Sequence, residues 1–498
     1  MRNHLFTETF NKRRRRIIID FFYVLLVFIA IININDILQK KNLYCNSLYP
    51  VTTSFEGFYD VPENEVDVLF FGSSVVVNGI IPQLLYDDYK LKTYVLGSQQ
   101  QSIITSYYWM REALKSQKPK AIVLETRYLY EDTGEEFYRL ATDPMRLSIN
   151  KFEYVRKICE KEKEQSFVGY FLKNIRYSGR WKDLRAEDFR SEVIKDTSLL
   201  GFGPFPYIET TEFEPFVSKN KYDRTEISLD KLEYLNKISE LCKENGIKLI
   251  LYTTPRDMTD GIHNELEEYA NNHNAFYWDL NEKKYFNQLG VQEGETVINH
   301  CNPQGAMRLS KLIGKMIDEN INIKKSKSAY WDDKDIAYKQ LLNDLKLINI
   351  TDFDEYLRAL DSWDYSVFMS INDEGTRALS VEDMELMQKI GVQTNLMNCF
   401  RKSYCFVKGN TGVFEEASDQ AISKSISFND RGKIVKIKSA GFIAGGTTAN
   451  IIINDEDYSV NSRGINIVVY DNKLGRFVDS VCFDTFESRT AIRKEIKW

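Results

Sequence analysis

A chain of 498 residues is long enough for two or three domains, and an apolar share of 43% is enough to fill their cores. Charged residues make up 28% of the chain, so no large part has the composition of a disordered protein. The net charge of −6 argues against nucleic acid as the main partner, because a polyanion binder needs a basic face and the only dense basic run is short, at residues 12–16.

That basic run stands directly before an apolar segment at residues 17–34 (IIIDFFYVLLVFIAIINI). A helix that crosses a bilayer needs roughly 17–25 apolar residues, and basic residues before it favour a cytoplasmic N-terminus. A cleaved signal peptide is the alternative, but no small-residue cleavage site follows. Residues 1–45 are therefore predicted to be a cytoplasmic stub and a single-pass anchor in the cell membrane, with the domains after it outside the cytoplasm.

Short apolar runs then alternate with helical patterns. Strands are predicted at 66–71, 93–96, 120–125, 247–253 and 275–280, and helices at 82–89, 103–117, 229–245, 264–272 and 307–320. This alternation predicts an α/β domain at 46–325, with a flavodoxin-like parallel sheet and helices on both faces. Residues 133–220 break the rhythm and are interpreted as an insertion that could cover or shape a site.

A polar stretch that begins at residue 326 marks a predicted linker, 326–349. The remaining part, 350–498, is rich in β-forming runs separated by Asn, Asp and Gly, which predicts a second domain of mixed α+β or β-rich type. Strands are expected at 367–371, 404–407, 434–439, 449–453, 464–470 and 477–483, with a helix at 380–390.

The seven cysteines include no CxxC pair, so the sequence supports no zinc site, and neither a metal nor a cofactor is expected. Their odd number and wide scatter favour buried, unpaired thiols. Cys399 and Cys405 are the alternative, because they flank a short segment and could pair outside the cytoplasm.

Ser74 ends a Gly-Ser-Ser sequence just after the first predicted strand, where ligands of parallel sheets bind. A serine becomes a nucleophile only when a base removes its proton, and histidine is the usual base. Of the four histidines, His4 precedes the anchor, and His263 and His273 lie on or beside a polar helix where solvated side chains are expected. His300 alone lies in a loop before a helix start, so Ser74 and His300 are the candidate pair. The alternative is that Gly-Ser-Ser forms only a turn or a helix N-cap.

The segments DVLFFGSS and HCNPQGAMRLSKLIG resemble the first and last blocks of the SGNH/GDSL hydrolases, over roughly residues 64–320. They are most like those of envelope-associated members that act on teichoic acids or exopolysaccharides. The resemblance implies that Ser74 is the nucleophile and His300 the general base. It also implies that backbone N–H groups of Ser74 and Gly97 form an oxyanion hole, with Arg127 or Gln100 as a side-chain donor.

Two positions depart from that family's pattern. Val297 stands where the family usually has an Asp that orients the histidine, and Val75 stands where related envelope proteins often have His. The orienting acid could be replaced by one of three carboxylates, or a Ser–His dyad could act alone; the three are Glu293, Glu295 and Asp279. The sequence thus leaves two hypotheses: an esterase or O-acyltransferase of envelope polymers, and an inactive protein of the same fold that binds glycans.

Segments 365–379, 399–409, 439–460 and 462–486 resemble the ILEI/PANDER family, with their order permuted along the chain. Related domains in some glycan-modifying proteins bind carbohydrate, which implies a sugar-binding module. The candidate contacts are Tyr458, Arg463, Asn466 and Asp471, and the alternative is that they are sheet-surface residues and turn formers. The expected partners are envelope polysaccharide or teichoic acid, the membrane through the N-terminal helix, and a membrane acyltransferase.

Overall fold

The computed structural model describes residues 2–38, 51–163, 165–184, 189, 197–205, 213–429 and 432–496. The chain divides into two compact units: the first comprises 1–45, 49–203 and 208–327, and the second is built on 328–498. The first unit contains a five-stranded sheet and the second a ten-stranded sheet.

The strands of the first unit are β1 (Val68–Gly72), β2 (Thr93–Gly97), β3 (Ala121–Glu125), β4 (Lys248–Thr253) and β5 (Phe276–Asp279). Its helices are α1 (Arg2–Leu38), α2 (Val51–Phe58), α3 (Ser74–Gly79), α4 (Pro82–Tyr89), α5 (Ile103–Ala113), α6 (Tyr138–Thr142), α7 (Ile149–Lys161), α8 (Phe167–Phe171), α9 (Lys173–Arg176), α10 (Leu229–Glu244), α11 (Asp260–Asn272), α12 (Lys283–Leu289) and α13 (Pro303–Asn320). Each predicted strand is found within two residues of its expected bounds.

The five strands are all parallel, in the order β2-β1-β3-β4-β5, which is the flavodoxin-like order. Parallel crossovers are right-handed, so the helices between β1 and β2 lie on the opposite face from those that connect β2 to β3, β3 to β4 and β4 to β5. The packing agrees, since α13 contacts α3 and α4 while α5 contacts α10. The predicted doubly wound parallel sheet is confirmed.

The carboxyl ends of the strands lie at one level. Gly72 is paired in register with Gly97, and Glu125 with Tyr252. Asp279 at the end of β5 is paired with Thr253. Side chains that follow these positions are therefore brought to one edge of the sheet from five distant parts of the sequence.

Part of the predicted insertion protects the free edge of this sheet. The backbone N–H of Val95 in the edge strand β2 donates to the carbonyl oxygen of Leu200 at 3.0 Å, and that of Gly203 donates to Val77 at 2.9 Å. A Cβ at Gly201 would lie 2.1 Å from the Val95 carbonyl oxygen, so only glycine allows this approach. Covering an edge strand in this way removes a template for unwanted pairing.

The apolar segment Arg15–Leu38 of α1 has a mean hydropathy of 2.7 over its most apolar part, and none of that part is buried by the protein. It is long and apolar enough to cross a membrane, a test that a signal sequence also passes. The amide of Asn33 within it donates to the carbonyl oxygen of Ile29 at 2.8 Å, so this polar group is satisfied by its own helix.

The predicted linker at 326–349 is wrong, because the second unit begins there with a helix, α14 (Ala329–Leu347). Trp331, Tyr338, Leu341 and Leu345 are buried and recur at helical spacing on one face. Most of the charged residues between them are not buried, although Asp344 is, and they make the segment look polar in sequence. The helix α15 (Phe353–Ala359) follows.

The remaining elements of the second unit are the helix α16 (Val381–Ile390) and the strands β6 (Tyr365–Asp373), β7 (Ser403–Gly409), β8 (Gly412–Ser418), β9 (Ile422–Ser427), β10 (Ile434–Gly441), β11 (Thr448–Ile453), β12 (Glu456–Asp457), β13 (Gly464–Asp471), β14 (Arg476–Phe483) and β15 (Ala491–Arg493). The buried strand β6 is antiparallel to β13 and β7 and parallel to β10. The sheet is therefore mixed, and its core includes Phe368, Val407, Val435, Ile451 and Val468. Strands β8 and β9 were not predicted, because their exposed residues lack an apolar alternation.

The described cysteines are all unpaired thiols. Cys399 donates to the carbonyl oxygen of Asn395 at 3.7 Å, while Cys405 is buried in β7. The Cys399–Cys405 disulfide that the sequence left open is not formed.

A buried carboxyl pair in the second unit predicts a pH-dependent stability. Burial, together with the neighbouring Asp344, raises the pKa of Asp471 to about 7, and Arg476 lies 3.1 Å from Asp344. A raised pKa means that the folded state holds the proton more tightly. The contribution of Asp471 to stability is therefore complete below its unfolded pKa and is lost as the pH rises through about 7.

We expect hydrogen exchange in β13 and β14 of the full chain to be faster at pH 7.5 than at pH 5.5, after correction for intrinsic exchange rates. The variant Asp471→Asn keeps an oxygen for the backbone N–H groups of Lys473 and Leu474, which donate to Asp471 at 2.7 and 3.0 Å, but cannot titrate. It should lose most of this pH dependence. An equal dependence in the variant and the wild type would assign the effect to another group.

Candidate active site

Ser74 is the first residue of α3, directly after the turn that follows β1. At Gly72 in this turn, an added Cβ would lie 2.5 Å from Val76 Cγ2 and 2.7 Å from Glu125 Cβ, so a larger residue would push the strand away from its neighbours. The turn places the half-buried Ser74 hydroxyl at the carboxyl edge of the sheet.

His300 lies in the loop before α13, and that loop is held by Asn302. The Asn302 side-chain oxygen accepts hydrogen bonds from the backbone N–H groups of Gly305 at 2.9 Å and Thr296 at 3.1 Å. A Cβ at Gly305 would lie 1.7 Å from the Thr296 carbonyl oxygen, which explains why glycine follows at this spacing. Asn302 is the N-cap of α13, and a proline occupies the first helical position.

The hydroxyl of Ser74 and the imidazole of His300 are brought together. Ser74 Oγ lies 2.9 Å from His300 Nε2, although the two residues are 226 positions apart in sequence. This is hydrogen-bond distance for proton transfer from a hydroxyl to a neutral imidazole nitrogen. The geometry allows His300 to act as a base toward Ser74.

Ser73, by contrast, faces a buried acid. Its hydroxyl lies 3.4 Å from Glu125 Oε2, and the other Glu125 oxygen accepts from the backbone N–H of Arg127 at 2.8 Å. Burial raises the pKa of Glu125. The two serines of the Gly-Ser-Ser turn therefore have different surroundings, and only Ser74 contacts an imidazole.

Gly97 packs against the same turn from the end of β2. An added Cβ would lie 2.8 Å from Val77 Cγ2, 3.1 Å from the Gly72 carbonyl oxygen and 3.4 Å from that of Ser73. The absence of a side chain thus lets the backbone of β2 approach the residues beside Ser74. The oxyanion role of the Gly97 N–H stays a prediction.

Two of the three suggested orienting acids are engaged elsewhere. Asp279 lies 2.7 Å from His263 Nδ1, and its other oxygen accepts from Asn281. Glu295 binds Arg308 at 3.0 Å, and Glu293 is exposed. Val297, in the usual place of the acid, is buried. Asp279 and Glu295 are thus each held by another side chain, and the suggestion that one of them orients His300 stays a prediction.

His263 is also corrected, since it is buried rather than solvated. Its ring packs 5.2 Å from that of Phe216 and 5.7 Å from that of Tyr277. Burial lowers the pKa of His263, but the hydrogen bond and charge of Asp279 outweigh burial, so the pKa is raised overall. Its position at the start of α11, beside the end of β5, was not recognisable from the polar sequence around it.

Arg127 and Gln100, the suggested side-chain donors, both form hydrogen bonds with other residues of the first unit. Gln100 Oε1 accepts from the backbone N–H of Gly134 at 2.9 Å. Arg127 donates through Nη2 to Asn299 Oδ1 at 2.6 Å, and its Nε lies 3.4 Å from Glu131 Oε1. The contact with Asn299 means that Arg127 supports the loop that carries His300, a role that the sequence did not suggest.

Asn299 is itself an unusual residue, with a left-handed backbone at φ +56°. Its N–H donates to the Pro255 carbonyl oxygen at 2.9 Å, so the residue before His300 is fixed from both β3 and β4. Glu131 bonds Arg256 at 2.9 Å and thereby links the segments after the same two strands. This network holds the histidine loop in place without an acid at position 297.

Under the esterase hypothesis, we expect Arg127→Ala to lower ester turnover about tenfold, because a loop displaced by a fraction of an ångström would weaken the Ser74–His300 contact. The matched control is Arg224→Ala, which removes an exposed ion pair with Glu268 that lies 2.8 Å apart. Steady-state kinetics on a soluble ester would show a lower kcat for Arg127→Ala and an unchanged KM. A normal kcat in a folded Arg127→Ala variant would show that this contact does not position His300.

No cluster of three or more His, Cys, Asp or Glu side chains suited to a metal ion occurs among the described residues. Cys301, next to His300, is fully enclosed, and burial raises the pKa of its thiol to about 12. It is therefore an unreactive thiol rather than a second nucleophile.

The four candidate glycan contacts of the second unit differ in exposure. Asn466 and Asp471 are completely buried, so they are corrected to structural residues of β13. Arg463 is exposed but bound to Asp484 at 2.7 Å, and Tyr458 stacks on Phe477 with ring centroids 4.0 Å apart. Only Tyr458 and Arg463 reach solvent.

Several solved structures are similar to part of the chain, and two of them come from Bacteroides species. No family model and no curated protein matches the chain. A protein from Bacteroides fragilis NCTC 9343 described as an acylhydrolase is similar at 12% identity and a TM-score of 0.24, covering 53% of this chain and 92% of its own. A GDSL-like lipase from Bacteroides thetaiotaomicron VPI-5482 is similar at 11% identity and a TM-score of 0.24, covering 53% and 98%.

Proposed function

We propose that the first unit is a serine-dependent ester hydrolase or O-acyltransferase, with Ser74 as nucleophile and His300 as general base. The observation that carries the proposal is the 2.9 Å distance from Ser74 Oγ to His300 Nε2 at the carboxyl edge of a parallel sheet. An imidazole at this distance is what a serine requires to act as a nucleophile near neutral pH.

In the proposed reaction, His300 Nε2 takes the Ser74 proton as Oγ attacks the acyl carbonyl carbon. The ester C–O bond then breaks, and His300 gives the proton to the leaving alcohol. Water or a sugar hydroxyl next attacks the acyl-serine carbonyl carbon and loses its proton to His300, the bond from the acyl carbon to Ser74 Oγ breaks, and His300 returns the proton to Ser74. Backbone N–H groups of Ser74 and Gly97 are the proposed donors to the negative oxygen of the tetrahedral intermediates.

The proposed substrate is an O-acylated envelope polysaccharide or teichoic acid. The resemblance of the Gly-Ser-Ser and His300 segments to envelope-associated SGNH/GDSL proteins supports it, as does α1, which the proposal takes as a membrane anchor with both units outside the cytoplasm. In this proposal the second unit is an ILEI-like module that binds glycan, and a membrane acyltransferase supplies or removes acyl groups. Tyr458 and Arg463 are its remaining exposed candidate contacts.

A specific observation favours a second candidate. The buried Val297 occupies the usual place of the orienting acid, and loss of that acid can cost about 10⁴-fold in rate in serine hydrolases. A protein with the same fold that binds glycan without catalysis would tolerate this substitution. The Arg127–Asn299 support of the loop is the feature that favours catalysis instead.

A fluorophosphonate probe separates the two candidates. Incubation with the full chain in detergent, followed by peptide mass spectrometry, should place the phosphonate on Ser74. Release of acetate from O-acetylated polysaccharide or of D-alanine from teichoic acid would then identify the polymer. Glycan binding in the absence of both phosphonylation and acyl release would favour the second candidate.

A further inference from the structure

The segment between β3 and β4 exposes a group of large apolar side chains. Leu147 and Ile149 are 80% and 78% exposed, although a monomeric soluble protein rarely displays such side chains together. Others on α7, α8, α9 and the short helical turn after them are Phe152, Val168, Leu172, Ile175 and Trp181. These seven residues are called the apolar patch below.

The elements that carry the apolar patch pack against one another. The Phe152 ring on α7 lies 5.3 Å from that of Phe167, which lies 5.2 Å from that of Phe171 on α8. Helix α7 contacts α8, α8 contacts α9, and α9 contacts the 3₁₀ turn Ser178–Lys182, which carries Trp181.

This surface is attached to the C-terminal end of α1. The backbone N–H of Asn174 in α9 donates to Asn35 Oδ1 at 2.9 Å. Arg180 donates to the carbonyl oxygen of Leu38 at 2.8 Å and so satisfies one of the last carbonyl groups of the apolar helix. Both contacts lie within the first unit, at the end of α1 opposite its basic run.

The chemistry around the apolar patch is that of a membrane interface. Trp181 and Tyr177 belong to the two residue types enriched at the boundary between hydrocarbon and headgroups. Lys182 lies 5.5 Å from the Trp181 ring and Arg176 lies 5.6 Å from the Tyr177 ring. Such cationic heads can reach phosphate groups while the aliphatic stems and rings stay in the apolar layer.

We propose that the apolar patch docks on the bilayer that α1 crosses, so that α7–α9 lie in the interface at the end of the anchor. The proposal rests on the anchor of the proposed function but not on its chemistry. A spanning helix brings Leu38 to the membrane surface, and the hydrogen bonds to Asn35 and Leu38 place α9 and its neighbours at the same depth. The first unit is then held against the membrane by two connections instead of turning freely on a single helix.

Lipid photo-cross-linking tests the proposal on the full chain. The protein is reconstituted in vesicles of phosphatidylethanolamine and phosphatidylglycerol, with benzoylphenylalanine in place of Ile149, Ile175 or Tyr222. Ile175 is near α1 and Ile149 is farther along the patch, while Tyr222 is the control because it is 78% exposed but outside the patch. We expect lipid adducts at positions 149 and 175 and none at 222. Adducts at 149 no more frequent than at 222, or adducts to another protein, would overturn the proposal.

Charge substitution gives a second measurement. Ile149→Glu and Leu172→Glu together should increase hydrogen exchange in α7–α9 in vesicles several-fold, while Tyr222→Glu should leave it unchanged. All three side chains are exposed, so folding is retained. Fluorophosphonate labelling of Ser74, measured on the same samples, separates a failure of docking from a failure of the catalytic proposal. Loss of the whole chain from the vesicles in alkaline carbonate would overturn the anchor and the docking together.

Discussion

Replacement of Ser74 by alanine is expected to abolish fluorophosphonate labelling and to lower ester turnover by about 10⁴-fold or more, as loss of the nucleophile does in serine hydrolases. The reason is the geometry, since Ser74 supplies the hydroxyl that lies 2.9 Å from His300 Nε2. The removed oxygen is small and half-buried, so the fold should not change. The measurement is turnover of a chromogenic acyl ester, together with the thermal midpoint of the same sample.

Ser73→Ala is the matched control. It removes an identical hydroxyl from the adjacent position, but that hydroxyl faces the Glu125 carboxyl at 3.4 Å rather than an imidazole. We expect turnover to stay within about tenfold of the wild type, because only the packing of the turn is affected. Equal losses in the two variants would indicate damage to the turn, and no loss in Ser74→Ala would remove Ser74 from the mechanism.

The parallel sheet could be predicted because each of its strands is recognisable from a short stretch of the sequence. Runs such as VLFF at 68–71 and AIVL at 121–124 are short, continuously apolar and bounded by glycine or charged residues, and their alternation with helical patterns leaves few topologies. Ser74 and His300 followed from the same local signals, since one ends the first strand and the other precedes a capped helix. Their contact across 226 positions needed only that both lie at the same sheet edge.

The support around His300 could not be predicted, because it is assembled from residues that are distant in sequence. Arg127, Asn299 and Pro255 meet only after β3, β4 and the final loop are in place. The sequence suggested Asp279 as an orienting acid, but Asp279 contacts His263, which lies on a helix whose sequence is polar. The sequence does not show in which direction a side chain points, or which other side chains it contacts in the folded protein.

The second unit shows the same limit for buried polar groups. Asn466 and Asp471 lie in a strand whose sequence alternates, and either face could have been the solvent face. Both residues are buried in the folded unit. The side-chain amide of Asn466 donates to the carbonyl oxygen of Ser462 at 2.8 Å. Likewise, α14 was hidden because its buried side is defined by a few large residues among many charges. Burial on both faces of a strand is a tertiary property.

The second large expected effect is a loss of ester turnover when His300 is replaced, with His263 as the histidine for comparison. His300→Gln should lower turnover by about 10⁴-fold or more, because the glutamine amide cannot accept the Ser74 proton. His300 is half-buried in a loop, so the thermal midpoint should change little. Kinetics with a chromogenic ester and fluorophosphonate labelling rates on the same preparation measure the effect. An active, folded His300→Gln variant would leave Ser74 without its proposed base.

His263→Gln is the internal control, because it should lower stability and leave turnover by the folded protein unchanged. It breaks a buried pair in which His263 Nδ1 lies 2.7 Å from Asp279, and the uncompensated carboxylate should lower stability by about 3 kcal/mol. Because the pKa of His263 is raised in the folded state, the charged His263 contributes its full stabilisation of the fold below the pKa that it has in the unfolded state. This contribution is lost as the pH rises through the pKa of His263 in the folded state. The stability gap between wild type and His263→Gln should therefore narrow as the pH rises, while turnover by the folded fraction stays normal. If His263→Gln abolished turnover while His300→Gln did not, the buried pair would be the better candidate for the base.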